Sequence, residues 1–448
     1  MSNSGEGAHI LVFPYPAQGH MLPMLDLTHQ LALRGLAITV LITPKNLPTL
    51  NPLLSSHPSI QTLVFPFPHH PSLPSGVENV RDVGNSGNRQ IMNALGRLRD
   101  PIIQWFKSHP KPPVALLSDF FLGWTQSLAH QLGVPRIAFF SSGAFFTSVL
   151  GHLWDNIDAV RSLAVVDFPD LPRSPSFTEE HLPSVFRLYR ESDPDWQFIK
   201  AGMIANSSSW GCVLNSFEAL EGDYLDHLKK NLGHGRVFGV GPLSLAGGFE
   251  PMGQINPNAG SGHGVFEWLD GCPDGSVLYV CFGSQKLLKR TQMEALASGL
   301  ERSGVRFVWV VNSVTGQEIK DGSGSVPDGF EDRVSGRGMV IKGWAPQVAI
   351  LKSPSHGLLV EYMQAAVRVC EGADAVPDPV ELARIVAESI TGDIIEKIRA
   401  KELREKALEA VKKGGSSWRD LDGLVRELAQ SWILSKFHDI IFCSVCNS

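Results

Sequence analysis

His20 is the side chain whose type and setting point most directly to chemistry. It ends the segment Pro14-Tyr15-Pro16-Ala17-Gln18-Gly19-His20, which leaves the apolar run Ile10 to Phe13 and enters a stretch of helical periodicity. In open α/β sheets, ligands bind where a strand's carboxyl end passes into a helix. The positive end of a helix dipole disfavours an imidazolium there and leaves the ring able to accept a proton, as a general base must. Asp119 follows Ala115-Leu116-Leu117-Ser118, a second apolar run, and so falls on the same sheet edge. A carboxylate beside an imidazole orients it and stabilises the charge it gains with a proton. The two residues predict a His–Asp dyad. The alternatives are a histidine packed at a helix start and an aspartate capping the helix that follows it.

A weaker signal lies in Phe282-Gly283-Ser284, directly after another apolar run, where backbone amides and a hydroxyl could face a phosphate or form an ordinary turn. Other signatures are missing. There is no G-x-x-x-x-G-K-[ST], no G-x-S-x-G and no H-E-x-x-H, and Gly239-Val240-Gly241 runs into Pro242 rather than a dinucleotide-binding helix. The cysteines Cys212, Cys272, Cys281, Cys370, Cys443 and Cys446 are too scattered for a disulfide framework, which points to a reducing cytoplasmic compartment. Cys443 and Cys446 have no second pair to complete a zinc site, so no metal is expected.

The elements that must position these residues can be read from hydrophobic runs. Ile10 to Phe13, Ala37 to Thr43, Val114 to Ser118 and Arg136 to Phe140 read as buried parallel strands separated by helices. Met21 to Arg34 reads as a helix with Pro23 in its first turn, ended by Gly35. Residues 239–264 are rich in Gly, Pro, Ser and Asn and read as a linker. The rhythm then restarts with strands at Ser276 to Cys281, Phe307 to Val311 and Met339 to Ile341, and a helix at Thr291 to Ser303. Val380 to Ile390 and Ile394 to Val411 read as charged surface helices, whereas Trp432 to Ser448 shows no helical partner pattern. The fold class is therefore α/β: a Rossmann-like domain over residues 1–240, a linker over 241–264, a second Rossmann-like domain over 265–430 and an atypical tail over 431–448.

Composition narrows the partners. The 448 residues are 43% hydrophobic, with 39 basic against 45 acidic side chains and a formal charge of −6, which disfavours nucleic acid and a basic membrane-binding surface. The start lacks a basic signal-peptide region, and every apolar run is broken well short of the roughly twenty residues a membrane span needs.

Taken together, several segments resemble one family. They are Pro14 to His20, Ser118-Asp119-Phe120, Val213-Leu214-Asn215-Ser216-Phe217-Glu218, Val240-Gly241-Pro242-Leu243, Trp268-Leu269-Asp270, Tyr279-Val280-Cys281-Phe282-Gly283-Ser284 and Trp344-Ala345-Pro346-Gln347. In this order the chain resembles the plant UDP-sugar-dependent glycosyltransferases of small molecules, which have the two-domain GT-B architecture with a cleft between the domains. Residues 118–146 further resemble the clade that includes flavonol and hydroxybenzoate glycosyltransferases. The resemblance implies that His20 deprotonates a hydroxyl or carboxyl of a small phenolic acceptor, supported by Asp119. The sugar then passes from UDP with inversion and without a metal. It further implies that Trp344 stacks on uracil, with Ala345 in the same motif, that Gln347 contacts the nucleoside, and that Gly19, Ser141 and Ser284 lie near phosphate and sugar. Phe65 to Pro74, Phe145 and Phe177 to Arg190 would line the acceptor site, in a cytoplasmic monomer.

The family pattern is then interrupted. Its members continue past WAPQVAIL through a histidine, a strand ending in HCGWNS, a helix with a ribose-binding glutamate, another strand and a sugar-holding W-plus-DQ segment. Here Leu351 is followed by KSPSHGLLVEYMQAA, Lys352 to Ala366, and the pattern resumes at Val367-Arg368-Val369-Cys370-Glu371-Gly372. Fifteen residues cannot supply two strands, a helix and their turns, since a parallel crossover alone needs about a dozen. His356 does not replace the lost histidine, because it follows Pro354 and Ser355 rather than preceding a Gly-Trp-Asn-Ser helix start. The second domain is thus expected to lack part of its parallel sheet and donor site. That leaves a second reading, an impaired or inactive isoform that at most binds a small aromatic ligand.

Overall fold

A computed structural model of the chain describes residues 7–84, 87–247, 264–283, 287–311, 322–343, 345–352, 356–357, 369–370, 375–392 and 395–445. The chain divides into two compact units: Met1–Phe249 with Lys406–Ser448, and Glu250–Glu405.

The first unit is built on seven strands: β1 (His9–Phe13), β2 (Ala37–Ile42), β3 (Gln61–Val64), β4 (Ala115–Asp119), β5 (Arg136–Phe140), β8 (Gly211–Leu214) and β9 (Val237–Gly239). A small antiparallel pair, β6 (Val165–Asp167) and β7 (Ser176–Thr178), stands apart. The seven strands are parallel in the order β3-β2-β1-β4-β5-β8-β9. β4 and β5 are buried along their whole length, which is why they read as continuous apolar runs rather than alternating ones. The first helix, Gln18–Leu33, carries Pro23 and gives way to Gly35, whose φ of +84° suits a residue without a Cβ. Strand order reverses between β1 and β4, so the crevice of the sheet opens at their carboxyl ends.

The second unit holds β10 (Val277–Cys281), β11 (Arg306–Val311), β12 (Gly338–Lys342) and β13 (His356–Gly357), parallel in the order β12-β11-β10-β13. The helices Arg290–Ser303 and Pro379–Thr391 contribute Leu296, Leu300, Leu382 and Val386 to a core with Phe307, Trp309 and Phe330.

Two expectations about the C-terminal region are corrected. The segment from Lys406 belongs with the first unit, not with a second domain running to residue 430. Leu421, Leu424 and Leu428, at i, i+3 and i+7 on one helix face, are buried in the same core as Ile10, Val12 and Phe238. Polar contacts tie the same segment to the first unit. Asp420 accepts a hydrogen bond from Gly239 N at 2.8 Å, Arg34 pairs with Asp422 at 2.7 Å, and Arg236 pairs with Glu427 at 2.7 Å. The tail, in turn, is helical as far as Val445, because the helix Ser416–Val445 continues through it. Once a helix is nucleated on an anchored face, adding turns costs little.

Candidate active site

β1 ends at Phe13, and the chain then takes four residues to reach Gln18, where the first helix begins. Ala17 offers no side-chain cap, but its carbonyl accepts from His20 N at 3.0 Å and Met21 N at 2.8 Å, which fixes His20 in the first helical turn. Asp119 is the last residue of β4. Its side chain is fully buried, whereas that of His20 keeps 18% of its surface exposed. The two carboxylate oxygens divide the work. Oδ1 accepts from Phe121 N at 2.9 Å and caps the turn Phe120–Leu122, while Oδ2 accepts from His20 Nδ1 at 2.9 Å. The capping and pairing readings of Asp119 are thus both realised. A carboxylate can only accept, so the bond places the proton on Nδ1 and leaves Nε2 as the ring's acceptor.

Three rings confine the imidazole. Tyr15 meets it edge-on at 5.4 Å between centroids, Phe120 stacks at 5.4 Å and Phe121 lies tilted at 4.6 Å. The Tyr15 hydroxyl donates to Asn88 Oδ1 at 2.7 Å. Burial first, and the charge of Asp119 second, push this hydroxyl well above its ordinary range, so it stays a neutral donor.

Beneath the dyad lies a side chain that motif reading passes over. Arg136, the first residue of β5, is 1% exposed and donates from Nε to Ser118 Oγ at 2.9 Å. Its Nη1 donates to Asn206 Oδ1 at 2.9 Å and Ser209 Oγ at 2.8 Å, and its Nη2 donates to the carbonyl of Asp119 at 3.3 Å. The available signal was an arginine opening an otherwise apolar buried strand. Glu221 left no such signal. Its buried carboxylate accepts from Ala144 N at 2.7 Å, Phe145 N at 3.1 Å and Ser216 Oγ at 2.5 Å, and so caps the helix Ala144–Asp155. A Cβ on Gly143 would lie 2.3 Å from that carboxylate, so glycine is what admits it.

No protein-family model matches the chain. Individual relatives match nearly all of it. UDP-glycosyltransferase 89A2 of Arabidopsis thaliana is 48% identical, covering 95% of this chain and 97% of the relative. The chain belongs to the plant UDP-glycosyltransferases. Flavonol 3-O-glucosyltransferase UGT89B1 of Arabidopsis thaliana is 45% identical, with coverage of 95% and 97%. Arabidopsis thaliana UGT89C1 has been crystallised with UDP-L-rhamnose and with quercetin. These structures match at TM-scores of 0.75 and 0.74 and identities of 36% and 35%, over 94% of this chain and 99% and 100% of theirs. The architecture is accordingly GT-B, with two Rossmann-like α/β domains.

As a UDP-glycosyltransferase the chain is short. Its alignment with the 89A2 relative runs to 467 positions, more than the 448 residues it possesses, so the relative carries residues that this chain lacks. The remaining residues assigned to donor binding are placed as follows. Gly19 is exposed in the first turn of its helix, where an added Cβ would meet nothing within 4 Å. Ser141 is half-buried just past β5, and the helix amides that follow, of Ala144 and Phe145, are taken by Glu221. Ala345 is buried in a cluster with Ile341 and Ile350, so its side chain is a packing group, and Gln347 is exposed at the start of a helix. Ser284 and Trp344 lie outside the described residues, as does most of 352–366. Gly283, at φ +74°, makes the turn after β10. Of the acceptor segments, Phe145 and Phe177 come together at 6.1 Å, with Tyr224 5.2 Å from Phe145. Among the described residues, no helix is long and apolar enough to cross a membrane, and no group of three or more His, Cys, Asp or Glu side chains could hold a metal ion.

Proposed function

We propose that this glycosyltransferase transfers a sugar from a UDP-sugar to a small phenolic acceptor, with His20 as the base. Nε2 takes the proton of the acceptor hydroxyl, or meets a carboxyl already ionised, and the oxygen's electron pair forms a bond to the anomeric carbon. The bond from that carbon to the UDP oxygen breaks, its electrons leave with UDP, and configuration inverts through a transition state of oxocarbenium character. Asp119 holds the ring by Nδ1 and compensates the imidazolium that forms. The observation that carries this reading is the 2.9 Å bond from His20 Nδ1 to Asp119 Oδ2 at the reversal point of the sheet. UGT89C1 bound to quercetin and to UDP-L-rhamnose supports a flavonoid-type acceptor and a UDP-sugar donor. Gly19, Ser141, Ser284, Trp344, the Ala345 backbone and Gln347 are assigned to the donor, with no metal, in a cytoplasmic monomer.

A separate observation favours an impaired enzyme that binds acceptor alone: the alignment with the 89A2 relative requires residues that this chain lacks. Calorimetric titration with UDP, then UDP release from UDP-glucose with a flavonol, separates the two. Saturable UDP binding with turnover that His20→Ala abolishes supports catalysis by His20. Flavonol binding without UDP binding by a folded protein supports the acceptor-only reading. Turnover that survives His20→Ala removes the assigned base.

A further inference from the structure

Arg136 occupies a position where stability alone does not call for a charge. It sits in a buried strand, no carboxylate oxygen among the described residues is hydrogen-bonded to its guanidinium, and apolar residues often replace buried charges without loss of stability. What the guanidinium does touch is one short segment, from two sides. Directly it holds Ser118 Oγ and the carbonyl of Asp119. Through Asn206, whose Nδ2 donates to the Phe120 carbonyl at 3.0 Å, it holds the next residue as well. Ser118 Oγ also bonds Thr125 Oγ1 at 2.7 Å, which closes the far side of the turn. Three consecutive residues centred on Asp119 are thereby fixed by one planar fork and its amide partner.

The charge balance runs the same way. Burial pulls the guanidinium down to about 10, while Cys212 and Asp119 act to raise it, and burial pushes the Cys212 thiol up to about 12. The thiol is therefore neutral at physiological pH, and of these two groups only Asp119 supplies a negative charge to the buried cation.

We infer that Arg136 is a positioning residue for the transfer reaction: it fixes the end of β4 so that the Asp119 carboxylate meets His20 Nδ1. The inference rests on the proposed role of His20 and does not require Arg136 to touch substrate. Lysine keeps the charge but lacks the planar fork and cannot make four directed bonds at once.

The test compares full-length wild type, His20→Ala and Arg136→Lys, with folding checked by near-UV circular dichroism. The first readout is the downfield proton resonance of His20 Nδ1–H bonded to a carboxylate, identified by its loss in His20→Ala. The second is the pH profile of kcat/KM with UDP-glucose and a flavonol. In folded Arg136→Lys the resonance is lost, and kcat falls at least about tenfold while the acceptor KM stays within about twofold. An unchanged resonance and pH profile in folded Arg136→Lys overturns the inference. Should Arg136→Lys not fold, the double variant Ser118→Ala with Asn206→Ala decides. It removes two of the fork's bonds on the segment and leaves the guanidinium in place, and a wild-type resonance there overturns the inference equally. If the wild-type chain does not turn over, the resonance alone carries the test. Turnover that survives His20→Ala sinks the base assignment, whereas the resonance still reports whether Arg136 positions Asp119.

Discussion

The two units share a device and bury it to different depths. Each parallel sheet reverses its strand order once, between β1 and β4 in the first unit and between β10 and β13 in the second. β4 runs beside β1 from Ile10 opposite Ala115 to Phe13 opposite Ser118, and so delivers Asp119 to the edge where His20 stands. Among the described residues, β13 pairs with Val277 and Leu278. Beyond that point Tyr279, Val280 and Cys281 are half-buried, whereas Ile10 to Phe13 are buried throughout. A central parallel strand is buried where helices and neighbouring strands cover it, and β1 is so covered through its carboxyl end.

If the residues that this chain lacks relative to the 89A2 relative limit the second unit, supplying them restores the donor site. Replacing residues 352–366, where the family pattern is expected to be interrupted, with the aligned segment of the 89A2 relative should raise UDP release by about a thousandfold or more, since each preorganised donor to a developing charge contributes about 10²–10³. The check is a coupled UDP-release assay with UDP-glucose and a flavonol. Equal rates before and after grafting would mean that the residues this chain lacks do not limit the second unit. In the grafted chain, Asp119→Asn should then lower kcat by about 10²–10⁴, as expected when an imidazole loses the partner that sets its tautomer. A loss below about threefold would show that the first unit works without its dyad.

How much of this was legible in the sequence follows the same division. β1, β2, β4, β5, β10, β11 and β12 were readable to within a residue or two at each end, because the strands of a parallel sheet leave largely apolar runs between turn residues. His20 and Asp119 were readable because each sits where a strand stops. Their contact was not, since 99 residues separate them and only strand order brings them together. Tyr15 lay between two prolines past the first apolar run, Arg136 showed only as a charge opening another, and Glu221 left no local signal, although each is held by partners distant in sequence. The C-terminal helix was misplaced because its Leu421, Leu424 and Leu428 stripe says that a face is buried, not against which sheet.

That misplacement yields a stability test. Leu424→Ala removes a side chain packed in the first unit's core, so it should cost about 2–5 kcal/mol and lower the midpoint of that unit, although the residue lies beyond the whole second unit in sequence. Urea unfolding followed by hydrogen exchange of β1 and β2 amides reads it. Unchanged protection of those strands would detach the helix from the first core.

The smallest expected effect concerns pH. His9, His29, His57 and His227 all lie in the first unit, and all are held below their ordinary value of 6.5, with burial the leading cause in each. His29 and His57 meet directly, Nδ1 to Nε2 at 2.7 Å, so the charge of one also disfavours charging the other. A histidine whose folded value is depressed contributes stability that is fully present above its unfolded value and lost as pH falls from there through the folded value. Between neutrality and about pH 5 the unfolded chain therefore takes up more protons than the folded first unit, whose unfolding midpoint should drop by a few degrees. Both side chains of the pair are half-buried, so screening by solvent keeps the effect modest. Calorimetric scans from pH 7.5 to 5.5 should show His57→Gln flattening this slope, because one member of the pair no longer competes for a proton. The slope belongs to the first unit's transition. A parallel slope in His57→Gln, or an equal one in the second unit's transition, would remove the histidine pair as its source.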